Sequence, residues 1–468
     1  MPAIMRERRT FRLPRKGWTW PGAALLAAAV VVVTCPGNVS GSEESARPAA
    51  PSGTVTAVAL EYQETGHPFQ FRHVTVERRT VPFAKEPSAT GSNTVRGLLK
   101  FGDNPGNAIP FLWQGDAKKL FLDLNRNQDL TDDADGVFPA RVMFSAAPTY
   151  FHQAFTNIHL SFPATSGSAP MLVDLQWGMD TVRHPGLALC DAELRSFWQG
   201  KVTVAGHDWQ VGLMQNLSDQ PGSFRHGQLL LRPWDEQARS FTAASEKTED
   251  TLGMPWEGQN QVARASEAFA FSPGIFFEGR AWQLDWNAEP RSREEKLALR
   301  LTEQPTPLGE LQINGRFIER LVLTGGPYVV ILARPPASVK VPPGRYQPYR
   351  VRLKQDGAEA YFNYGVPQTG KANVMEAITG AKLPVVSLPP PEQAVMVEEQ
   401  RPAVLAVGGP LTNCVSATHR GRNLMLSYRL VGADGGVYWL ARWDNWKQPR
   451  FTVGNSGKTI GSGEFEYG

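Results

Sequence analysis

One stretch of this 468-residue chain carries oxygen-bearing side chains at alternate positions. In the run LFLDLNRNQDLTDD these are Asp123, Asn125, Asn127 and Asp129, followed by Asp133. A chain that folds back on itself there can turn alternate side chains toward one point. Ca²⁺ is bound by six to eight oxygens, several of them anionic, at about 2.3–2.6 Å. The spacing therefore predicts a calcium site with Asp123, Asn125, Asn127, Asp129 and Asp133 as ligands.

The same stretch resembles the calcium loop of EF-hand and dockerin proteins over about a dozen positions. What the resemblance implies for each residue can be stated directly. It assigns side-chain ligation to Asp123, Asn125 and Asn127, main-chain carbonyl ligation to Asp129, the apolar anchor to Leu130, and ligation through a water molecule to Thr131.

Two departures from that loop predict a weaker or irregular site. Gln128 stands where the loop has its turn glycine, which costs on the order of 1 kcal/mol if φ must be positive there. Ala134 stands where the closing bidentate acid is expected. Asp132, Asp133 or Asp135 then has to replace that acid by a slightly different path of the loop.

The residues before the loop predict a β-strand. In residues 119–124 the leucines at 120, 122 and 124 alternate, which is the period of a strand and not of a helix. A loop that leaves a strand lacks the moving helix pair of a calcium sensor, so a bound ion has a stabilising role here. The alternative is an Asx-rich turn without metal, because Asn and Asp favour turns on their own.

Residues 1–42 predict an export signal. A region with six Lys and Arg residues precedes an apolar core at residues 23–33, which is short for a bilayer span of about 20 residues. Cleavage near residues 40–42, lipidation at Cys35 and retention as an uncleaved anchor all stay open, and Arg8-Arg9 also fits a twin-arginine signal. We expect an extracytoplasmic protein, in the periplasm, at the cell surface or secreted, with no stable membrane span in the mature chain.

The basic balance of the chain belongs to this signal. Six of the 48 basic residues and one of the 45 acidic residues lie within residues 1–42, which leaves 42 and 44 and a formal net charge of −2. Nucleic acid is therefore not a predicted partner. Beyond Cys35, the chain has Cys190 and Cys414 without any metal-ligand spacing, and both a long-range disulfide and two separate thiols are open.

The rest of the sequence has the composition of a mostly β protein. Short runs rich in Val, Leu, Phe and Thr alternate with Gly, Pro and Asn, and helical periodicity is limited to residues 261–269 and 372–379. We expect several small antiparallel sandwich or barrel domains in tandem, with few helices. The predicted organisation is an export signal and cleavage region at 1–42, a flexible tether at 43–53, a β domain with the calcium loop at 54–180, a second β domain at 181–300, a sandwich-like β region at 301–367, a linker at 368–402 and an Ig-like β module at 403–468.

Local patterns predict particular turns within this organisation. Ala205-Gly206 is expected to turn one strand back on the next, and Asn314-Gly315 to form a type I′ hairpin between residues 310–313 and 316–318. The run VPPGRY at 341–346 resembles the proline-glycine-tyrosine turn of carboxypeptidase-regulatory and transthyretin-like sandwiches. The last module resembles an Ig-like sandwich in its strand spacing but lacks the Cys…Trp…Cys signature.

Catalytic motifs give little support for an enzyme. The chain has no HExxH and no GxSxG sequence, and Gly457-Lys458-Thr459 has no room for the helix of a phosphate loop after it. The aromatic residues Tyr438, Trp439, Trp443 and Trp446 could pack a core or grip a sugar or protein surface. We expect a non-catalytic module that binds a polymer or protein surface, with a hydrolase whose two carboxylates converge from separate strands as the alternative.

Overall fold

The computed structural model describes residues 54–64, 70–88, 93–144, 150–162, 169–180, 188–217, 220–234, 236, 268–355, 358–363, 394–420, 423–442, 450–455 and 458–465. The predicted signal and tether at 1–53 lie outside these residues. So do the helix candidate at 372–379 and residues 368–393 of the predicted linker. Of the helix candidate at 261–269, only residues 268 and 269 are described, and they belong to a strand.

Within the described residues the protein is mostly β, which confirms the predicted fold class. The helical element among them is one short turn, Pro105–Asn107, and no helix among them is long and apolar enough to cross a membrane. The first sixteen strands are β1 (Val55–Glu64), β2 (Gln70–Arg79), β3 (Thr94–Lys100), β4 (Ala108–Gln114), β5 (Lys119–Leu122), β6 (Val137–Pro139), β7 (Arg141–Phe144), β8 (Tyr150–Leu160), β9 (Met171–Asp180), β10 (Ala188–Leu194), β11 (Ser196–Val204), β12 (His207–Met214), β13 (Gln228–Pro233), β14 (Ala268–Ala270), β15 (Gly274–Phe277) and β16 (Arg280–Trp286).

The described residues form two compact units. The larger contains the described residues from 54 to 412 and from 431 to 442, and the smaller contains residues 413–430 and the described residues from 450 to 465. The remaining strands are β17 (Leu297–Gln304), β18 (Gly309–Asn314), β19 (Ile318–Thr324), β20 (Val329–Ala333), β21 (Ser338–Val341), β22 (Gly344–Gln355), β23 (Ala358–Asn363), β24 (Val395–Val397), β25 (Ala403–Ala406), β26 (Thr412–Arg420), β27 (Asn423–Val431), β28 (Val437–Arg442), β29 (Arg450–Asn455) and β30 (Lys458–Glu464).

Two large sheets and one small sheet build the larger unit. A nine-stranded sheet has the order β6-β5-β4-β3-β2-β10-β9-β8-β7, and β6 also contacts β8, so this sheet curls toward a closed barrel. A longer sheet runs β14-β13-β12-β11-β1-β17-β16-β15-β20-β19-β22-β23-β28, with β24 paired to β22. The small sheet has the order β21-β18-β25. In the smaller unit, β26 pairs with β27 and β29 pairs with β30.

Strand β1 joins parts of the chain that lie far apart in sequence. Its residues 55–60 pair with β17 and its residues 61–64 pair with β11, both antiparallel. A parallel pairing of β15 with β20 continues the same sheet past residue 300. Hydrogen bonding within the larger unit therefore runs across residues 180 and 300. Within the predicted linker, Val395–Val397 forms strand β24, and the strands of the predicted 403–468 module divide between the two units.

Two apolar cores lie on opposite faces of β11, β12 and β13. Phe197 packs in the core of the nine-stranded sheet, while its neighbour Trp198 packs in the core of the longer sheet. Met214 and Leu213 of β12 divide in the same way. Successive side chains of a strand point to opposite faces, so strands that are apolar without alternation, as here, are buried on both sides.

The two turns predicted from glycine have different outcomes. Ala205 (φ 53°) and Gly206 (φ 82°) form the two-residue connection of the β11–β12 hairpin, as predicted. The hairpin predicted at Asn314-Gly315 is wrong: β18 pairs with β21 and β25 instead of β19. Gly315 is needed for a different reason, because a Cβ there would lie 1.6 Å from the main-chain oxygen of Val407.

Candidate metal-binding loop

The predicted calcium loop connects strands β5 and β6 of the nine-stranded sheet. The two strands pair from Lys119–Pro139 to Phe121–Val137, and the amide of Leu122 donates to the oxygen of Gly136 at 2.8 Å. The strand predicted before the loop is thus confirmed, although it ends at Leu122. The loop is therefore an extended hairpin connection that begins at Asp123, and not part of a helix-loop-helix.

Asp123 lies at the base of the loop with its side chain fully buried. Its Oδ1 accepts the amide of Asn127 at 3.1 Å and its Oδ2 accepts the amide of Gln128 at 2.7 Å. A buried carboxylate requires such partners, since leaving a charge without hydrogen bonds in the interior is strongly unfavourable. The carboxylate of Asp123 therefore stabilises the turn by holding the main chain of residues 127–128 close to the start of the loop.

Asparagine side chains shape the next part of the loop. Asn125 Oδ1 accepts the amide of Asn127 at 3.0 Å, and Asn127 Oδ1 accepts the amide of Asp129 at 2.7 Å. Between these turns, Arg126 and Gln128 have positive φ, 61° and 67°. Gln128, which stands in the place of the turn glycine, thus has a positive φ. Such angles are disfavoured for residues other than glycine, and the hydrogen bonds of the asparagines hold the chain in them.

The side-chain amides of two asparagines, Asn125 and Asn127, both donate hydrogen bonds to the carboxylate of Asp132. Asn125 Nδ2 donates to Asp132 Oδ1 at 3.2 Å, and Asn127 Nδ2 donates to Asp132 Oδ2 at 2.7 Å. Asp133 Oδ2 accepts the amide of Leu124 at 3.0 Å, and burial together with the charges of Asp123 and Asp132 raises the pKa of its carboxyl. The structure thus brings Asn125, Asn127 and Asp132 together, beside a concentration of negative charge.

Asp129 is engaged by a cation of the protein itself. Lys85 Nζ donates to Asp129 Oδ2 at 2.5 Å, while Oδ1 accepts the amide of Thr131 at 3.0 Å and its hydroxyl at 2.5 Å. These hydrogen bonds, that of Lys85 foremost, lower the pKa of Asp129 to about 2. The carboxylate of Asp129 is therefore committed to Lys85 and Thr131, and only its main-chain carbonyl fits the ligand role that the resemblance implies.

The segment of residues 83–86, which the sequence did not predict to lie near the loop, is hydrogen-bonded to it. Lys85 donates its amide to the oxygen of Gln128 at 3.3 Å and accepts the amide of Leu130 at 3.1 Å. Leu130, the predicted apolar anchor, is 2% exposed and packs with Phe83, Leu112 and Phe121. No signal near residue 85 in the sequence points to this contact, because 44 residues separate Lys85 from Asp129.

Glu86 holds the segment of residues 83–86 against strand β3. It accepts the amide of Phe83 at 2.8 Å, and the Nε and Nη2 atoms of Arg96 donate to its two oxygens at 2.9 Å each. Burial tends to raise the pKa of Glu86, but the hydrogen bonds from Arg96 and Phe83 outweigh it, so that the pKa is lowered. A bidentate arginine pair of this kind fixes position as well as charge.

The donor set fits a hard cation in its chemistry. Carboxylate, amide and carbonyl oxygens suit Ca²⁺, whereas transition metals prefer imidazole and thiolate. Among the described residues, no group of three or more His, Cys, Asp and Glu side chains could hold a metal ion. A calcium site here must therefore use the asparagine amides and the carbonyl of Asp129 as well as carboxylates. The same hydrogen bonds also describe an Asx-rich turn that closes without metal.

The remaining candidate residues are not brought together into a site. Tyr438 is buried, and its hydroxyl accepts the amide of Gly408 at 2.8 Å; the side chain of Trp439 and residues 443 and 446 lie outside the described part of the chain. Cys190 is a buried free thiol and Cys414 an exposed one. Comparison with protein-family models, curated proteins and solved structures found no match to this chain.

Proposed function

We propose that this chain is an exported, non-catalytic β-rich protein whose loop at residues 123–135 binds one calcium ion. The observation that carries the proposal is the meeting of Asn125, Asn127 and Asp132 at one point beside Asp123 and Asp133. An amide oxygen has two lone pairs, so Asn125 Oδ1 and Asn127 Oδ1 can each bind a cation while still accepting a main-chain amide. Asp132 and Asp133 supply the anionic donors and Asp129 its main-chain carbonyl, while Asp123, whose two oxygens accept main-chain amides, shapes the turn.

The proposed role of the ion is to rigidify the loop. The loop joins two neighbouring strands and is braced by the segment around Lys85, so binding has no helix pair to move. A dication bound at Asp132 and Asp133 relieves the repulsion between these carboxylates and stabilises the folded chain through the loop. In this proposal the β-rich framework acts outside the cytoplasm as a structural or binding module for a polymer or protein surface.

Calcium titration of the full-length protein tests this proposal. The purified chain is stripped with EDTA, dialysed, and titrated with CaCl₂ by calorimetry and by thermal unfolding. At a hundredfold excess over Kd the native state gains about 2.7 kcal/mol, which is a shift of several degrees in one transition. We expect Asp132→Asn, an exposed position, to remove most of this shift without unfolding the protein.

Asp208→Asn is the matched control, because it removes the same charge from the β11–β12 hairpin. If the wild type shows neither heat nor a shift, the loop is an Asx turn and the proposed calcium site is wrong. A shift that survives in Asp132→Asn places the ion elsewhere. Export is tested separately, by fractionating cells that express the full chain or a chain lacking residues 1–42; cytoplasmic retention of the full chain contradicts that part of the proposal.

A further inference from the structure

A second candidate site lies in the larger unit, away from the loop elements described above. Two connections run side by side at one end of the β20-β19-β22 part of the long sheet: residues 315–317 between β18 and β19, and residues 334–337 between β20 and β21. Together with Lys354 of β22 they line a pocket of about 270 Å³ that is open to solvent on one side. This is the volume of a small organic ligand and not of a polymer chain.

Main-chain hydrogen bonds fix both walls of this pocket. The amide of Arg334 donates to the oxygen of Glu319 at 2.9 Å, and the amide of Lys354 donates to the oxygen of Phe317 at 2.9 Å. The amide of Ile313 donates to the oxygen of Ala337 at 2.7 Å. The two connections are therefore held by the sheets on either side, and the pocket is preformed.

Two residues that line the pocket have backbone angles that favour glycine. Phe317 has φ of 63° and Arg334 has φ of 43°, one in each wall. Phe317 also exposes 39% of its surface, which is unusual for a residue of its size. A strained backbone that presents a large apolar side chain and a cation to the same pocket is an arrangement expected at a functional site.

The charges around the pocket are mainly positive. Arg316, Arg334 and Lys354 line it, and Glu319 is its only acidic lining residue. Arg334 Nε and Nη2 donate to the carboxylate of Glu319 at 2.8–3.1 Å. This pair, with contributions from Arg352 and Lys354, lowers the pKa of Glu319, so the carboxylate is ionised and already occupied at neutral pH.

Two cations remain for a ligand once Glu319 has paired with Arg334. Lys354 Nζ lies 3.9 Å from the carboxylate of Glu359, which Arg352 holds at 2.8 Å. Arg316 is exposed and has no ion pair within the described part of the chain. The apolar remainder of the pocket includes Phe317, Pro335 and Pro336.

We propose that this pocket binds a small organic carboxylate, with the anionic group between Arg316 and Lys354 and the apolar body against Phe317 and the two prolines. Arginine and lysine bind carboxylates through charge-assisted hydrogen bonds, and a flat apolar body packs well on an aromatic ring and on proline. The source of the carboxylate is a free acid or the C-terminal residue of a peptide, since both present the same chemistry. This proposal does not depend on the calcium loop.

Binding of phenylacetate to the full-length protein tests the proposal, by ligand-observed NMR titration. Phenylacetamide has the same shape without the charge, and acetate has the charge without the ring. We expect phenylacetate to bind, and each of the two comparison compounds to bind at least tenfold more weakly. N-acetylglycyl-phenylalanine distinguishes the sources: binding at least tenfold tighter than phenylacetate assigns the site to peptide termini, and equal or weaker binding assigns it to free acids.

Substitutions of the lining residues test whether phenylacetate binds in this pocket. Arg316→Gln and Lys354→Gln are each expected to weaken phenylacetate binding about fivefold or more, whereas Lys340→Gln, an exposed lysine of neighbouring strand β21, leaves it unchanged. Phe317→Gly distinguishes a loss of binding from a loss of stability. It removes the ring and so weakens binding, yet it relieves the positive φ and does not lower the melting temperature. Absence of phenylacetate binding to the wild type, or equal binding of phenylacetamide, overturns the proposal, as does binding that survives in both charge variants.

Discussion

Lys85 is bonded to the chain around Asp129 through its main chain and to the Asp129 carboxylate through its ammonium group. The main-chain atoms of Lys85 bond to Gln128 and Leu130, the two neighbours of Asp129, while its Nζ lies 2.5 Å from Asp129 Oδ2. A residue from a distant part of the chain thus sets the path of the loop and also neutralises one of its carboxylates. Asp132 and Asp133 are left as the anionic part of the proposed site.

Removal of the Lys85 charge is expected to strengthen calcium binding. In Lys85→Gln the main-chain hydrogen bonds are kept, but a cation near the proposed ion is lost, so calcium affinity should rise about threefold at low salt. Calorimetry at low ionic strength measures the change. Lys296→Gln is the matched control, because Lys296 is also an exposed lysine paired with a carboxylate, Glu61, at 2.6 Å. Weaker calcium binding in Lys85→Gln would contradict the expected repulsion.

Glycine at position 128 is expected to stabilise the protein. Gln128 has φ of 67°, which glycine adopts without steric conflict, although glycine also loses more entropy on folding. The net gain in the free energy of unfolding should be about 0.5 kcal/mol, measured by urea denaturation. Gln312→Gly in strand β18 lacks the positive φ and should destabilise instead. Equal losses in both variants would show that the angle at 128 carries no strain.

Loss of the Glu86–Arg96 pair should change how stability depends on pH. The pKa of Glu86 is lowered in the folded state, so its contribution is present above the unfolded value of about 4.3 and is lost as the pH falls through the folded value. Glu86→Gln should therefore reduce stability at pH 7 by on the order of 1 kcal/mol, with a smaller difference from wild type below pH 4. Melting temperatures at pH 3 to 7 give the comparison. Glu399→Gln, at an exposed carboxylate, is the control, and a difference that is the same at every pH would contradict the ionic role.

Gly315 and Gly206 should respond very differently to alanine. A Cβ at position 315 would lie 1.6 Å from the oxygen of Val407, so Gly315→Ala must push the chain of residues 407–408 away and should cost about 3 kcal/mol or more. At Gly206 nothing lies within 4 Å, and Gly206→Ala should cost about 1 kcal/mol through its positive φ alone. Chemical denaturation of both variants tests the contrast, and similar losses would exclude the close approach at 315.

The sequence predicted the strands better than their partners. The alternation at residues 120–124 predicts a strand, and β5 (Lys119–Leu122) lies there. It does not report which strand lies alongside, so the pairing of β1 with β17 and β11 was not foreseen. Asn314-Gly315 shows the same limit, because a strong local turn preference was overridden by the approach of Val407 from a distant part of the chain.

Some features of the candidate loop could be predicted from its own sequence, and others depend on a distant part of the chain. The strand before Asp123 was predicted from the alternation of residues 120–124, and the apolar anchor Leu130 was implied by the resemblance to the EF-hand loop. The commitment of the Asp129 side chain to Lys85 was not predicted, because it depends on a segment 44 residues away. Whether Asp129 uses its side chain or its carbonyl is therefore a question that the loop sequence alone cannot answer.

The position of β1 also has a consequence for biosynthesis. Residues 55–60 are made among the first of the described chain, yet their hydrogen-bond partners, residues 297–302, emerge from the ribosome about 240 residues later. Until then this strand has an open edge, which is the kind of surface that pairs with other chains. The sheet that contains β1 can therefore be completed only after residues 297–302 have been made. Fragments that end before residue 297 should accordingly be prone to aggregate.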